Sequence, residues 1–172
     1  ELVHDIIPLV ETEYHTHAES GSLEDIKASR GHRAFGGFSM GSVTTWHTFA
    51  EALDYVKYYV PLSGDSWALG DSGGGSKPKE TAEYLANVVR NSEYTPEDFY
   101  IFSATGNQDI AYPNLKPQID EMRKLTDVFI YSSDTSKGNF YFIDADGGVH
   151  SWYWQNQFIY NILPDLFVEE NQ

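Results

Sequence analysis

Short apolar runs and stretches with helical spacing alternate along the chain. Four short runs rich in apolar, β-branched or aromatic residues predict strands: residues 32–38, 55–62, 99–104 and 140–143. Helices are predicted for residues 2–14, 41–53, 81–91, 115–125 and 151–167. The first of these helices contains Pro8, which argues against a regular helix there. The last one places Trp154, Phe158, Ile162 and Leu166 on one face.

This alternation predicts an α/β fold, in which a mostly parallel sheet has right-handed crossovers and helices on both faces. A length of 172 residues suits one compact domain, so we expect residues 1–172 to form a single unit. In such sheets the chemistry lies beyond the carboxyl ends of the strands. The polar loop 63–79 follows the second strand, and its glycines at positions 73–75 predict that it is mobile.

Composition and charge exclude several classes of partner and site. The formal net charge is −15, which repels nucleic acid and anionic membranes and favours a neutral or weakly charged substrate. The chain contains no cysteine, so disulfides, thiolate metal sites and a cysteine nucleophile are excluded. No apolar stretch approaches the roughly 18 residues of a membrane span, and no signal-like segment opens the chain.

A nucleophile-elbow pattern follows the first predicted strand. Residues 37–41 are Gly-Phe-Ser-Met-Gly, which matches Gly-x-Ser-x-Gly. At this composition the pattern would occur by chance in about one chain in ten, so its position between a strand and a helix matters. In that position Ser39 is the candidate nucleophile, and the backbone N–H of Met40 is a candidate oxyanion donor.

The candidate base and its orienting carboxylate follow later predicted strands. His150 is the histidine that directly follows a strand near the C-terminus, where this fold places its base. Asp109 follows the third strand and keeps the chain order serine, aspartate, histidine. Asp144 and Asp146 are alternatives, but they share the loop of His150 and offer a poorer platform.

Two other features have a functional and a structural interpretation. Trp67 follows the second strand at the same sheet edge, where it could stack on an aromatic acyl group or simply pack over the sheet. His15 and His17 could bind a metal ion, but a solvated loop is the more common explanation of such a pair. We predict no metal site there, and a serine nucleophile with a histidine base needs neither a metal nor an organic cofactor.

Four blocks in this order resemble feruloyl esterases of carbohydrate esterase family 1. The blocks are residues 36–41, residues 61–65, Asp109 after residues 105–106, and residues 148–152. The likeness is greatest to the esterase modules attached to bacterial cellulosomal xylanases. It implies an α/β-hydrolase fold with Ser39, Asp109 and His150 as the catalytic triad. It also implies that Met40 donates to the oxyanion and that Trp67 lies beside the bound aromatic ring.

The resemblance further implies a secreted enzyme that removes feruloyl groups from arabinoxylan, as one part of a multidomain xylanase in a cellulosome. Members of that family carry further N-terminal strands and a loop with a second oxyanion donor, which these residues do not include. Ser42 also stands where a second glycine is often found. We therefore expect the domain to begin upstream of Glu1 and the 172 residues alone to turn over slowly.

Two alternative functions remain at this point. One is an acetyl xylan esterase, or another short-acyl carbohydrate esterase, with the same catalytic groups. The other is a non-catalytic carbohydrate-binding module that holds a glycan with exposed aromatic side chains such as Trp67 and Trp152.

Overall fold

The computed structural model describes residues 1–168 as four strands and seven α-helices with short 3₁₀ and π-helical turns. The strands are β1 (Ala34–Phe38), β2 (Tyr58–Leu62), β3 (Tyr100–Gly106) and β4 (Phe140–Ala145). The helices are α1 (Ile7–Glu13), α2 (Leu23–Ala28), α3 (Met40–Glu51), α4 (Gly73–Ser76), α5 (Pro78–Arg90), α6 (Tyr112–Met122) and α7 (Trp152–Ile162). None of the helices within residues 1–168 is both long and apolar enough to cross a membrane.

The four strands form one parallel sheet in the order β1-β2-β3-β4. Phe38 at the end of β1 pairs with Leu62 at the end of β2, and Leu62 pairs with Ala104 of β3. The pairing of β3 with β4 continues to Gly106 and Ala145. All four strands therefore end at the same edge of the sheet.

Each face of the sheet has its own apolar core. Helices α3, α5 and α6 cover one face, where side chains such as Trp46, Leu85 and Ile119 pack on Tyr59 and Ile101. Right-handed crossovers between neighbouring parallel strands place successive helices on one face, which explains why these three lie together.

Helix α7 covers the opposite face. Phe158 and Ile162 pack there on Tyr100 and Phe102, and Trp154 adds a half-buried side chain. The predicted parallel sheet with helices on both faces is confirmed.

The N-terminal segment is helical but irregular. Residues 2–6 form a π-helical turn, and α1 begins at Ile7 with Pro8 in its first turn. A proline lacks the N–H that a longer regular helix would need, so the single predicted helix 2–14 divides here. Arg33, directly before β1, binds Glu11 of α1 through two guanidinium nitrogens at 2.9 and 2.7 Å. This partly buried ion pair attaches α1 to the start of the sheet.

Several predicted boundaries differ from the structure, and the differences in β2, β3 and β4 have clear physical reasons. Strand β2 begins at Tyr58 rather than at residue 55, because Tyr55 and Val56 continue the turn after α3 through hydrogen bonds to the carbonyl of Ala52. Strands β3 and β4 extend two residues beyond the predicted ends, since small and polar residues pair there through the backbone. Helix α2, which was not predicted, begins at Ser22, whose side chain accepts a hydrogen bond from the N–H of Asp25.

The prediction of a loop throughout residues 63–79 is wrong, because residues 73–76 form helix α4 and α5 begins at Pro78. Gly73 and Gly74 are buried in helix α4, which packs against α6. A Cβ atom on Gly74 would overlap the side chains of Gln118 and Asp65, and one on Gly75 would overlap Asn114. These glycines allow α4 to pack closely against its neighbours.

Candidate active site

Ser39 lies in a sharp turn between β1 and α3. Its φ of 60° and ψ of −115° are unusual for a residue with a side chain. Its backbone N–H donates to the carbonyl of Leu62 (3.0 Å), and its own carbonyl accepts from the N–H groups of Ser42 and Val43. These bonds hold the strained turn in place and project the Ser39 hydroxyl from the sheet edge.

Two close backbone approaches shape this turn. A Cβ on Gly37 would lie 2.6 Å from the backbone of Gly41, so only glycine allows β1 and α3 to approach so closely. A Cβ on Gly64 would lie 2.6 Å from the carbonyl oxygen of Ser39, so the loop after β2 rests directly on the elbow. Gly41 differs, because a Cβ there would meet nothing within 4 Å.

The imidazole of His150 connects Ser39 to Asp109. His150 lies in the loop between β4 and α7, and its Nε2 is 3.0 Å from the Ser39 hydroxyl oxygen. Its Nδ1 is 2.7 Å from Oδ1 of Asp109. The side chain of Asp109 is fully buried, whereas that of His150 keeps 21% of its surface exposed. The structure thus brings together three side chains that are 70 and 41 residues apart along the chain.

Asp109 is held by the loop between β3 and α6. Its Oδ1 also accepts a hydrogen bond from the N–H of Ala111 (2.8 Å). Gly106 and Gly148 lie against each other so closely that neither has room for a Cβ. The N–H of Gln108 donates to the carbonyl of Gly148 (3.0 Å). These contacts fasten the loop of Asp109 to the loop of His150.

The two alternative carboxylates are engaged elsewhere. Asp144 accepts a hydrogen bond from the hydroxyl of Tyr112 (2.9 Å), and Asp146 accepts one from the amide of Asn107 (2.9 Å). Both side chains belong to exposed residues, unlike Asp109. Asp109 is therefore the carboxylate that contacts the imidazole.

Aromatic side chains support the imidazole from one side. The Phe38 ring lies 4.4 Å from the His150 ring, centroid to centroid, and is tilted by 40°. Trp152 meets Phe38 edge-on at 5.0 Å. Neither contact was predicted from the sequence, although both residues lie within two positions of a predicted site residue.

Ser39 is the N-cap residue of α3, so the first N–H groups of this helix follow it directly in the chain. Helix α3 begins at Met40, and the N–H groups of a first helical turn lack partners within the helix. The N–H of Met40 adjoins Ser39 and is thus available to an oxygen bound near the Ser39 hydroxyl. The helix dipole adds a partial positive charge at the same place.

Exposed apolar residues lie next to the three polar site residues in the chain, and we call them the apolar rim. Met40, Ile110 and Val149 each directly neighbour one of the three polar residues in the chain and are 58%, 77% and 43% exposed. Trp152 is 67% exposed. Ile110 and Val149 were not predicted, because an apolar residue in a loop gives no signal of its own. A rim of this kind favours an apolar ligand over a charged one.

Trp67 belongs to the loop that rests on the elbow. It is partly exposed, and its indole N–H donates to Oδ1 of Asp65 at 3.2 Å. Asp65 is 4% exposed and was not singled out from the sequence. Burial raises the pKa of the Asp65 carboxyl, and the hydrogen bonds from Trp67 and from backbone N–H groups only partly oppose this shift.

The histidines of the N-terminal loop do not form a metal site with other residues in the structure. His17 stacks on His32 with ring centroids 3.7 Å apart, whereas His15 is exposed. Within residues 1–168, no group of three or more histidine, cysteine, aspartate or glutamate side chains could hold a metal ion.

A cleft of about 520 Å³ lies at the other end of the sheet. Tyr58, Tyr100 and Asn139, which line it, lie at or just before the starts of their strands. It is therefore remote from Ser39.

A mostly parallel sheet with helices on both faces, and a serine in a strained turn between a strand and a helix, defines the α/β-hydrolase fold. Within that class, the chain is 45% identical over 169 residues to Endo-1,4-beta-xylanase Y of Acetivibrio thermocellus. It is also 45% identical, with a TM-score of 0.91, to a serine-to-alanine variant of the feruloyl esterase module from Clostridium thermocellum, solved in complex with sinapinate. The resemblance to feruloyl esterase modules inferred from the sequence is thereby confirmed.

These likenesses cover 98% of the chain but only part of each relative: 15% of the xylanase and 57% of the solved esterase module. S-formylglutathione hydrolase FrmB of Staphylococcus aureus is 19% identical with a TM-score of 0.57, over 80% of this chain and 55% of the hydrolase. That likeness supports the fold alone. No family model matches the chain.

Proposed function

We propose that the chain acts as a serine carboxylic ester hydrolase that cleaves feruloyl and related hydroxycinnamoyl esters on arabinoxylan. The observation that carries the proposal is the hydrogen-bonded chain from the Ser39 hydroxyl through His150 to the buried Asp109, at 3.0 and 2.7 Å. These are hydrogen-bond distances suited to proton transfer between a nucleophile and its base. The feruloyl class is supported by the 45% identity to a feruloyl esterase module.

The geometry accounts for both halves of the reaction. His150 Nε2 takes the proton of Ser39 as the serine oxygen bonds to the ester carbonyl carbon. The N–H of Met40 stabilises the resulting oxyanion. When the ester C–O bond breaks, protonated His150 gives its proton to the departing sugar oxygen and leaves a feruloyl-enzyme. Water, deprotonated by His150, then releases ferulate and restores the Ser39 hydroxyl.

Asp109 selects the tautomer of His150 that this sequence requires. Because Asp109 Oδ1 accepts a hydrogen bond at 2.7 Å from His150 Nδ1, the proton of neutral imidazole stays on Nδ1. Nε2 is then free to accept the serine proton. The bond from the N–H of Ala111 to the same oxygen fixes the carboxylate.

The apolar rim and Trp67 are suited to the acyl group. A hydroxycinnamoyl group is flat, aromatic and uncharged at its ring, so it gains most from contact with apolar and aromatic side chains. Met40, Ile110 and Val149 are exposed beside the reacting groups. The acidic surface, with a net charge of −15, repels neither a neutral ester nor a neutral glycan.

The proposal extends to the setting of the enzyme. A relative of 45% identity is named as a xylanase, and the chain matches 15% of that protein. This supports a role in xylan degradation as one part of a longer xylanase, and we extend the proposal to an extracellular enzyme assembled in a cellulosome.

Release of ferulate from methyl ferulate and from feruloylated arabinoxylan tests the proposal, with release of acetate from acetylated xylan as the comparison. We expect ferulate release to dominate, and Ser39→Ala to lower it by at least about a thousandfold. The matched control is Ser76→Ala, which removes an exposed hydroxyl on α4 and should have no effect.

Fluorophosphonate labelling provides a second readout that does not depend on the substrate. Labelling should be lost in Ser39→Ala and retained in Ser76→Ala. Acetate release that exceeds ferulate release would identify a short-acyl esterase instead. A wild-type protein that neither labels nor releases either acid would support the non-catalytic carbohydrate-binding alternative.

A further inference from the structure

Among the residues that the structure describes, Asp65 is a buried carboxylate without a cationic partner. It is 4% exposed, and no ion pair within residues 1–168 includes it. Its hydrogen bonds come from the indole N–H of Trp67 (3.2 Å) and the backbone N–H of Gly74 (2.9 Å). Burying an unpaired charge costs free energy that a neutral side chain would not. A residue of this kind next to a candidate site calls for a functional explanation.

The loop that carries Asp65 is fixed against the nucleophile elbow. Gly64 lies against the carbonyl of Ser39, where a side chain would not fit. The Gly64 carbonyl accepts hydrogen bonds from the Ser42 hydroxyl (2.7 Å) and the Trp46 indole (2.9 Å), both on α3. The chain is therefore anchored three residues before Trp67.

A second set of contacts fixes the other side of the loop. The N–H of Ser66 donates to the side-chain oxygen of Gln118 at 2.8 Å, and Gln118 is fully buried on α6. Gly74 fits between Gln118 and Asp65 only because it has no side chain. Both flanks of Trp67 are held in this way, and its indole N–H is bonded to Asp65.

We propose that Asp65 is a positioning residue that sets the acyl specificity of the site by holding the Trp67 indole against the aromatic ring of a hydroxycinnamoyl ester. This inference rests on the proposed function. Asp65 acts through Trp67 and takes no part in proton transfer. Its loss should therefore impair aromatic acyl groups and leave small acyl groups nearly unaffected.

A double-mutant cycle tests this inference. The variants are Asp65→Asn, Trp67→Phe and the double variant, assayed for kcat/KM with methyl ferulate and with p-nitrophenyl acetate. Phenylalanine keeps an aromatic ring but removes the N–H that donates to Asp65. Asparagine has one acceptor oxygen, so it cannot accept from both Trp67 and Gly74 as the two carboxylate oxygens do. We expect each single variant to lose about tenfold on methyl ferulate and less than about twofold on the acetate. The double variant should be no worse than Trp67→Phe alone.

Two outcomes would overturn the inference. One is an equal loss by Asp65→Asn on both substrates, which would indicate a general structural role. The other is a full further loss when Asp65→Asn is added to Trp67→Phe, which would show that Asp65 does not act through Trp67. The matched control is Asp71→Asn, an exposed carboxylate in the same loop, which should change neither substrate.

Hydrogen exchange in the wild-type protein, followed by NMR, tests the bond to Asp65 even if Asp65→Asn does not fold. The Trp67 indole N–H resonance is identified by its absence in Trp67→Phe. In the wild type it should exchange with solvent more slowly than that of Trp152, which is 67% exposed. Exchange as fast as that of Trp152 would contradict the proposed bond. A wild type that hydrolyses neither substrate, yet shows slow exchange of this N–H, would refute the proposed function and not the bond.

Discussion

Ser39 and Ser63 occupy equivalent positions at the ends of neighbouring strands, and both have a positive φ, 60° and 51°. They follow the paired residues Phe38 and Leu62. Each N–H donates to the next strand, from Ser39 to the carbonyl of Leu62 and from Ser63 to the carbonyl of Ala104. The difference lies in their hydroxyls, because only that of Ser39 faces an imidazole.

The hydroxyl of Ser63 is buried in a structural network. It lies 3.2 Å from the hydroxyl of Thr105 and accepts a hydrogen bond from the amide of Gln155 (3.0 Å), which connects α7 to the sheet. We predict that Ser63→Ala destabilises the protein by about 1–3 kcal/mol, because it leaves buried polar groups unpaired. Ser39→Ala should stay within about 1 kcal/mol of the wild type.

Urea unfolding measures both stabilities, and fluorophosphonate labelling separates the roles. Both serines keep their Cβ when changed to alanine, so the backbone strain is the same before and after. Ser63→Ala should still be labelled, and Ser39→Ala should not. The reverse pattern of labelling would mean that the nucleophile is assigned to the wrong strand.

The two glycines of the Gly-x-Ser-x-Gly pattern should respond oppositely to alanine. Gly37→Ala places a Cβ 2.6 Å from the backbone of Gly41 and should cost about 2 kcal/mol or more, since backbone cannot move aside cheaply. Gly41→Ala meets open space in the first turn of α3 and should stabilise by about 0.5–1 kcal/mol. The midpoints of urea unfolding compare them directly, and a similar loss in both would show that the close approach is not the cause.

The outline of the fold could be predicted from the sequence because strands and helices have different apolar periods. The ends of the strands at the edge of the sheet that carries the candidate site could not be predicted in the same way. Residues such as Thr105, Gly106 and Ala145 pair through their backbones, and their small or polar side chains give no apolar signal. The sequence therefore gives the weakest strand signal at the edge of the sheet where the candidate site lies.

The residues of the candidate site that lie in a recognisable local sequence pattern could be predicted. Ser39 lies in an elbow pattern, and His150 and Asp109 follow strands in the expected order. Asp65 and Ile110 lie in no such pattern, because their place near the site depends on which loops come together in three dimensions. Likewise, the sequence cannot show that Gly74 allows close packing, because the side chain of Gln118 that it meets is distant along the chain.

Changing the orienting carboxylate should affect the rate far more than the stability. We predict that Asp109→Asn lowers kcat by about 10⁴-fold, because an amide can donate to Nδ1 and favour the wrong tautomer of His150. Asp144→Asn and Asp146→Asn should stay within about twofold, since those side chains bond to Tyr112 and Asn107 instead. Steady-state hydrolysis of methyl ferulate measures all three. A large loss of kcat in either control variant would mean that a carboxylate in the loop of His150 orients the imidazole instead.

The pH dependence of stability should reveal the charge on Asp65. Burial raises the pKa of this carboxyl above its usual value of 3.8, although the hydrogen bonds from Trp67 and Gly74 oppose the shift. The folded protein then holds the Asp65 proton more tightly than the unfolded chain does. The free-energy cost of the charge is absent below pH 3.8 and grows as pH rises from there through the raised pKa.

Asparagine carries no charge at any pH, so Asp65→Asn should gain stability relative to the wild type as pH rises through that window. The test is the difference in free energy of unfolding between the two proteins, measured by urea unfolding from about pH 3 to pH 7. Contributions from all other titrating groups that the substitution leaves unchanged cancel in that difference. A difference that falls with rising pH would mean that the folded state prefers the charged carboxylate, and that its hydrogen bonds outweigh its burial.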